Sequence, residues 1–352
     1  MKQTILKKVT VMILSLALLL SVLPVPASAG TVKLGNSFVN QLLGFGSAEY
    51  NNRIYYGISQ KIYSIKKDGT DKKILVDMKD GSNGFYKIAV YGGYIYAIYD
   101  YYGGSDSSDC QLLKFKLDGT GRKNLGRVNN FAIADGKIYC TKTKHIKAVS
   151  SYDTTYNQVL GIYSMNLNGT SAKKLVSGSK VVLYGTDGKQ LYYGLRNWDT
   201  GKTSVYTCTM KGNNKKKIKS VVNMENVFFD KDSMYYQKSD PEDFMKQRIY
   251  QVNRKTGKEN LVYTASGWIY PFYVRNNCLF ISGEDGFKKI NLNTGEEKIL
   301  QEKITNGIRG IHGSVIIGER YRMDMKAGTD YDVLMITSSG KMIKKIGAYF
   351  VS

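Results

Sequence analysis

The feature that most constrains the fold of this chain is a strand-and-turn unit that recurs along most of its length. The unit is clearest in residues 53–76, where Arg-Ile-Tyr-Tyr-Gly leads to Lys-Ile-Tyr-Ser-Ile, an Asp-Gly turn and Lys-Lys-Ile-Leu-Val. Apolar and polar residues alternate within these runs, which indicates half-buried strands. The corresponding turn glycines lie 38–50 residues apart, at Gly69, Gly119, Gly169, Gly212, Gly257, Gly295 and Gly340. This period, with several short strands per unit, is typical of a β-propeller.

Each unit alone would be a small sheet with two apolar faces, which only neighbouring units can cover. Seven second-strand patterns and seven later turns therefore predict an all-β fold, a β-propeller with seven four-stranded blades. Six blades are the alternative if the irregular last unit, around 321–331, packs differently. The alternation in residues 113–117 specifies the register, because a slip of one residue would place lysines between blades. No segment after residue 29 shows a helical period.

Two-residue turns are predicted between the first and second strands of the units. Pairs of Asn, Asp and Gly accept the positive φ angles that such hairpin turns need. These pairs occupy residues 51–52, 92–93, 135–136, 187–188, 276–277 and 312–313. We interpret His312, the first residue of the last pair, as a turn residue in an asparagine-like role.

The first 29 residues have the pattern of a secretory signal. A lysine-bearing start precedes an apolar run over 9–22, and Ala-Ser-Ala at 27–29 forms a small-residue cleavage site. The run is too short and wrongly flanked for a transmembrane helix, and an uncleaved anchor is the alternative. No linker divides the remainder, so residues 30–352 are predicted to be one domain. We expect a secreted protein, extracellular or associated with the cell wall, with no transmembrane segment after cleavage.

The chain is strongly basic, with a formal net charge of +22, or +19 without the three signal lysines. Such a charge favours polyanions, namely nucleic acid, anionic lipid or acidic wall polymers. The basic residues recur after the turns, at 72–73, 122–123, 173–174, 215–217 and 298. They are predicted to form a spaced, solvated rim that protects strand edges, and binding to an anionic cell-wall polymer is the alternative. A nucleic-acid partner is not predicted, and a monomer is expected.

The sequence offers little for catalysis. It contains two histidines and lacks the motifs of serine hydrolases, zinc proteases and Walker loops. Ser282-x-Glu284-x-Gly286 resembles the aspartate box of sialidase propellers, but we interpret it as a structural turn because its acid is Glu. The predicted set of catalytic residues is therefore empty.

Cysteine and carboxylate spacing bears on disulfides and metals. The four cysteines are scattered, and Cys140 and Cys208 lie in apolar strand patterns, where free buried thiols are usual. Disulfides remain open, with three possible pairings. The carboxylates at 106–109 and 240–243 are possible calcium ligands, but the frame of a strong calcium loop is absent. No metal site and no cofactor are predicted.

A resemblance supports the fold. Through Ile54-Tyr55-Tyr56-Gly57 and Leu191-Tyr192-Tyr193-Gly194, the repeat resembles a bacterial exported β-propeller family similar to the propeller of low-density-lipoprotein-receptor-related proteins. The Trp and Asp of the receptors' own repeat tetrad are missing here, so the receptors' stabilising contacts are not carried over. The resemblance covers nearly all of residues 40–350 and implies a propeller fold and no particular activity.

The connections between second and third strands vary in length, whereas the other turns are tight. Long connections concentrated on one face usually mark a binding face. Their aromatic rings and carboxylates suit stacking on sugar rings, and they suit a peptide or protein partner equally well. The predicted ligand-binding residues are Tyr101, Tyr102, Asp106, Tyr152, Tyr156, Trp198, Asp243, Phe244 and Tyr321.

Together these observations predict a secreted, non-enzymatic β-propeller that binds an extracellular protein or a cell-wall polysaccharide. A carbohydrate-active hydrolase or lyase on the same scaffold is the alternative, with carboxylates on the long-connection face or in the channel.

Overall fold

The computed structural model describes residues 32–44, 46–80, 84–101, 109–146, 156–240, 242–243, 245–322 and 331–349, with only the backbone of 156 and 157. The chain divides into two compact units, Met1–Val32 and Lys33–Ser352, and the second contains all the strands of the described residues. The predicted signal sequence lies outside the described residues. Among the helices of the described part, none has the length and apolar character needed to cross a membrane.

The described residues form one short helix and 27 strands. The helix, α1, comprises Phe38–Leu43. Strands β1 to β9 are Ser47–Tyr50, Arg53–Ile58, Lys61–Lys66, Lys73–Asp77, Gly84–Tyr91, Tyr94–Tyr101, Asp109–Lys116, Lys123–Ala134 and Lys137–Ile146. Strands β10 to β18 are Tyr156–Asn166, Lys173–Val176, Val181–Thr186, Gln190–Arg196, Lys202–Thr209, Lys216–Val222, Met224–Phe229, Ser233–Ser239 and Gln247–Asn253. Strands β19 to β27 are Glu259–Ala265, Tyr273–Arg275, Cys278–Gly283, Gly286–Asn291, Glu297–Gln301, Ile308–His312, Val315–Tyr321, Tyr331–Thr337 and Met342–Tyr349.

These strands form six antiparallel sheets in chain order. Five have four strands (β1–β4, β12–β15, β16–β19, β20–β23 and β24–β27), and β5–β11 form one seven-stranded sheet. The prediction of seven separate blades is therefore wrong, and the alternative number, six, is the number of sheets. The reason is β8, whose first half pairs with β7 and whose second half pairs with β9. No turn interrupts Lys123–Ala134, so two sequence repeats share this one strand.

The predicted hairpin turns are largely confirmed. Both residues have positive φ at Asn51-Asn52, Gly92-Gly93, Asp135-Gly136 and Asn276-Asn277. This is the conformation that matches the right-handed twist of the flanking strands. At 187–188 and 312–313 only the glycine has positive φ.

The sheets pack face to face in sequence, and the last packs on the first. Ile54, Tyr56 and Ile65 of the first sheet share a buried cluster with Val315, Val333 and Ile346 of the last. The Tyr56 hydroxyl also donates to the carbonyl oxygen of Ile346 at 3.3 Å. These contacts give a β-propeller-like ring in which side-chain packing, without strand exchange, joins the two ends of the chain of sheets.

Three of the repeated turn glycines pack one sheet against the preceding one. A methyl group placed on Gly119 would lie 1.8 Å from the carbonyl oxygen of Leu75, on the outer strand of the first sheet. The same position on Gly340 would lie 1.9 Å from the carbonyl oxygen of Leu300. A methyl group on Gly69 would lie 3.1 Å from Cγ2 of Ile343 in the last sheet, so the junction between the last and first sheets also has a turn glycine at the contact. At these three positions the turn glycine is therefore also an inter-sheet contact.

Residues 33–43, which we name the axial segment, contact the first strands of five sheets. Asn36 Nδ2 donates to the carbonyl oxygens of Ser47 at 2.7 Å and Ile88 at 2.8 Å. Asn40 Oδ1 accepts from the Ile311 amide at 2.7 Å, and Gln41 Oε1 accepts from the Thr186 amide at 2.8 Å. The helix also packs on β16. The sequence did not predict this helix, because six residues are too few to show a period.

His312 is buried where the first and last sheets meet, so its interpretation as a turn residue is wrong. Its Nε2 lies 2.9 Å from the hydroxyl oxygen of Ser47. Burial, reinforced by the nearby Lys67 charge, lowers the pKa of His312 to about 3. The ring is therefore neutral in the folded protein over the ordinary pH range.

Acid should weaken the fold through His312. The unfolded histidine gains a proton near its ordinary pKa of about 6.5, whereas the folded one does not, so stability is lost as the pH falls below that value. We expect this residue to account for a loss of about 2 kcal/mol between pH 6.5 and 4.5. Denaturant titrations of His312→Asn and the unaltered protein at both pH values measure it. An equal loss in both proteins would contradict this role.

All four cysteines are free. Cys140 and Cys208 are buried in strands as predicted, and burial raises the pKa of each thiol, to about 12 and about 11. These thiols are structural, because a reactive cysteine needs the opposite shift.

Candidate functional site

The connections between second and third strands and those between sheets lie at one end of the ring, which we name the loop face. The opposite end, the turn face, has the tight turns between first and second and between third and fourth strands. This follows from the antiparallel order of each sheet and the short connections between sheets, such as 223 between β15 and β16. The described members of the nine predicted ligand-binding residues belong to the loop face by their position in the chain.

The structure describes the side chains of four of these nine residues. Tyr101 ends β6, and Tyr321 ends β25 with 46% of its surface exposed. Trp198 is 62% exposed in the β13–β14 connection, with the Arg196 guanidinium 4.1 Å from its ring centroid. Asp243 is exposed and accepts from the Met245 amide at 3.1 Å. These four residues lie on four different sheets and do not form one site.

The structure does not describe the side chains of the other five predicted residues. Tyr156 begins β10, and only its backbone is described. Tyr102, Asp106, Tyr152 and Phe244 lie outside the described residues.

A cavity of about 280 Å³ opens on the loop face between the β19–β20 connection and the β21–β22 turn. Its wall includes the indole of Trp268, which is 41% exposed, and the acidic pair Glu284 and Asp285. Lys288 also lines the cavity, and its Nζ lies 2.8 Å from Asp285 Oδ2 and 3.9 Å from Glu297 Oε2. The cavity thus combines a flat apolar ring with charged hydrogen-bonding groups of both signs.

Aromatic side chains continue from this cavity to the last sheet. We name Trp268, Tyr270, Tyr321, Tyr331 and Tyr349 the aromatic stretch. The ring centroids of Tyr321 and Tyr331 are 5.5 Å apart, and those of Tyr331 and Tyr349 are 5.1 Å apart. Tyr270 lies between the two parts, because its amide donates to the carbonyl oxygen of Ser282 at 3.1 Å and its Cβ lies 3.5 Å from the methyl position of Gly307, whose carbonyl oxygen accepts from the Glu319 amide.

Buried ion pairs support the last-sheet end of the stretch. Asp332 is fully buried and is paired with Arg320, Arg322 and Lys345, the last at 2.6 Å. Burial opposes ionisation of Asp332, but hydrogen bonds from Lys345 and Arg320 prevail and lower its pKa. Removing one member of such a network would leave a buried charge uncompensated, so the network fixes the strand ends that present Tyr321 and Tyr331.

Glu319 also holds the last-sheet end of the aromatic stretch in place. It accepts from the Tyr349 hydroxyl at 2.5 Å and pairs with Arg309 at 3.0 Å. Because Glu319 and Arg309 are both buried, this contact fixes the position of the Tyr349 ring below Tyr331. The aromatic stretch is therefore a preorganised surface.

Two of the carboxylates considered as calcium ligands, Asp109 and Asp240, are paired with arginines. Asp109 accepts two hydrogen bonds from Arg127, at 2.6 and 2.8 Å, and Asp240 pairs with Arg248 at 2.6 Å. In the part of the chain that the structure describes, no group of three His, Cys, Asp or Glu side chains is arranged to hold a metal ion.

The carboxyl pKa shifts give no support to acid–base catalysis. At Asp109, hydrogen bonds from Arg127 overcome the effect of burial and lower the pKa. At Asp240, a hydrogen bond from the Glu242 amide is the main cause of a lowered pKa. A glycosidase acid needs the opposite, a carboxyl held protonated by a raised pKa.

Sequence reasoning missed Trp268 and the cavity. The region around 266–272 joins two sheets, whereas the prediction considered only connections within a sheet. The signal was nevertheless present, since the second tryptophan of the chain stands in a polar, glycine-containing segment. The Ser282–Gly286 motif, interpreted as a structural turn, is the β21–β22 hairpin and forms part of the cavity wall.

Solved structures resemble this chain in fold. A puromycin hydrolase has a TM-score of 0.57 at 11% identity, covering 90% of this chain and 56% of its own. A prolyl endopeptidase has a TM-score of 0.56 at 14% identity, covering 86% and 50% respectively. For dipeptidyl peptidase 4 of Porphyromonas gingivalis, the TM-score is 0.51 at 13% identity, covering 88% and 60%.

The shared property is the fold alone. This chain spans between half and three fifths of the length of those three structures, and the identities are too low to transfer an activity. No protein-family model and no curated protein matches the sequence. Membership of an exported repeat family therefore stays a prediction.

Proposed function

We propose that this protein is a non-enzymatic, exported β-propeller that binds a polysaccharide on its loop face. The observation that carries the proposal is the aromatic stretch beside the cavity of Trp268. Flat rings can stack on the apolar faces of sugar rings, while carboxylates and a lysine accept and donate hydrogen bonds to hydroxyl groups.

Polysaccharide fits this surface better than a protein partner does. The centre of a stable protein interface is typically a well-packed patch depleted of charged residues. Here Glu284, Asp285 and Lys288 surround the exposed Trp268. Polar groups around single aromatic rings suit a hydroxyl-rich ligand whose units repeat along the surface.

The hydrolase or lyase alternative keeps less support. Glu319 and Asp332, the buried carboxylates beside the aromatic stretch, are each paired with cations. A pair of carboxylates with different protonation states is what glycoside hydrolysis uses.

Trp268→Ala should weaken polysaccharide binding at least tenfold, since central aromatic anchors commonly contribute about 2 kcal/mol or more to an interface. The experiment is a calorimetric titration of the purified protein with soluble wall and plant polysaccharides. The polysaccharides are then analysed for cleavage products. Tyr94→Ala is the matched control. Tyr94 has a similar exposure, 37% against 41%, but lies on the turn face.

Equal affinity of the Trp268→Ala variant and the unaltered protein would contradict the proposed surface. If the protein binds no polysaccharide but binds a protein ligand, and this binding depends on Trp268, the ligand of the loop face is a protein. Release of cleaved product would replace binding by catalysis.

A further inference from the structure

Basic residues recur along the turn face. Exposed lysines and an arginine follow the turns between third and fourth strands, at 72–73, 122–123, 173–174 and 215–217. The last sheet adds the exposed Lys344. We name these residues the basic arc. Together they run from the last sheet, over the first and the seven-stranded sheets, to β12–β15.

Contacts at the turns connect successive parts of the arc. Gly119 lies against Leu75 of the first sheet, two residues after Lys73, and within the seven-stranded sheet Gly169 lies against Leu125, two residues after Lys123. Gly212 lies against Leu175, the residue after Lys174. Because these turns pack against a strand directly after a basic pair, the basic residues of successive repeats follow one another along the turn face.

The closing junction shows how near these cations are. Lys72 Nζ donates to the carbonyl oxygen of Ile346 at 2.6 Å, and Lys344 Nζ donates to that of Gly69 at 3.1 Å. Burial, and then repulsion from Lys344, lowers the pKa of Lys72. Two sheets thus hold like charges beside each other with backbone carbonyls as partners.

The turns of the arc contain three carboxylates against its ten basic residues. Asp68 and Asp118 accept hydrogen bonds from Thr70 and Thr120 of their own turns. Asp71 pairs with Arg53 and Lys73. Among the described residues no ion pair involves the side chains of Lys123, Lys173, Lys174, Lys215, Lys216 or Lys217. An excess of exposed positive charge remains along the arc.

We propose that the basic arc binds a linear, flexible polyanion that carries an anionic group on each unit. Lysine ammonium groups are mobile point charges, so they suit a chain of phosphates or carboxylates without fixed geometry. The curved spacing over several sheets fits a polymer that can bend along the rim of the turn face. This site is separate from the polysaccharide surface, which lies on the opposite face.

Nucleic acid fits the arc less well than a simple polyanion. Recognition of single strands uses exposed aromatic rings on which bases stack. On this face the ammonium groups of Lys72 and Lys114 cover the rings of Tyr63 and Tyr94, at 4.4 and 3.8 Å from their centroids. Arginine, which is suited to paired contacts with phosphates, is rare in the arc.

The test is binding of the purified protein to long-chain inorganic polyphosphate, to poly-glutamate and to single-stranded DNA. We expect both simple polyanions to bind at low salt and their affinity to fall about tenfold or more at physiological ionic strength and above, because exposed charges are screened. The triple variant Lys123→Glu, Lys173→Glu and Lys216→Glu should lose at least another factor of ten. All three side chains are exposed, so the fold should persist.

The matched control reverses Lys202, Lys246 and Lys303 to Glu, three exposed lysines on the loop face. It changes the net charge by the same amount and should leave polyanion binding within twofold of the unaltered protein. If both triple variants lose the same polyanion affinity, binding depends only on net charge, and the proposed site is overturned. No binding of either simple polyanion at low salt, or binding of DNA alone, would overturn the proposal as well.

Discussion

Gly119→Ala should lower the free energy of unfolding by about 3–4 kcal/mol, the sum of a positive-φ penalty and overpacking against a neighbouring backbone. The new methyl group would lie 1.8 Å from the carbonyl oxygen of Leu75, so the seven-stranded sheet would have to move away from the first sheet. Equilibrium denaturation followed by tyrosine and tryptophan fluorescence measures the change.

Gly257→Ala is the matched control. Gly257 stands at the same turn of a later sheet with a similar φ, 74° against 85°, but no heavy atom lies within 4 Å of its Cβ position. Only the conformational penalty remains there, about 1 kcal/mol. If both variants lose the same free energy, the inter-sheet role of the turn glycines is contradicted.

The second large effect concerns Lys87, a lysine buried beside the axial segment. It is 7% exposed, and its Nζ donates to the carbonyl oxygen of Gln41 at 3.3 Å. Burial lowers the pKa of Lys87 to about 7. Between this value and the ordinary lysine pKa of about 10.4, the unfolded chain binds a proton that the folded chain does not. Lys87 therefore makes the protein more stable as the pH rises through this window.

The expected contribution of Lys87 is a gain of about 3 kcal/mol in unfolding free energy from pH 7 to pH 9.5. Lys87→Met should remove it, because methionine fills a similar volume and does not titrate. Denaturant titrations at both pH values measure the difference, with Lys116→Met, at an exposed position, as the control. A Lys87→Met variant that gains as much stability with pH as the unaltered protein would contradict a buried, titrating ammonium.

The repeated part of the fold was predictable from local chemistry. Pairs such as Asn51-Asn52 and Asn276-Asn277 occupy turns with positive φ at both residues, as their composition indicates. The alternation in Leu113–Leu117 gave the correct orientation, since Leu113 and Phe115 are buried while Lys114 and Lys116 point away from the core. These signals depend on neighbouring residues, which a sequence displays directly.

Features that depend on distant contacts were not predictable. The axial segment is held by residues such as Thr186 and Ile311, which are far away in the chain. The join within β8 depends on the absence of a turn near Arg127, which the spacing of glycines does not reveal. His312 was misinterpreted because its partner, Ser47, comes from the opposite end of the chain of sheets.

The candidate site was predicted at the level of a face and missed at the level of residues. Tyr321 lies within the aromatic stretch, whereas Trp198 and Tyr101 lie on other sheets. Which connections approach one another depends on the order of sheets around the ring, and Trp268, in the cavity wall, lies on a connection between sheets.

The axial segment has a consequence for cooperativity. Repeat modules that touch only their neighbours can melt one after another from a free end. Here the last sheet packs on the first, and one short segment forms hydrogen bonds to the first strands of four sheets and packs on that of a fifth. Displacing any one sheet removes contacts that position the axial segment against the other sheets. We therefore expect the sheets to unfold together in one cooperative transition.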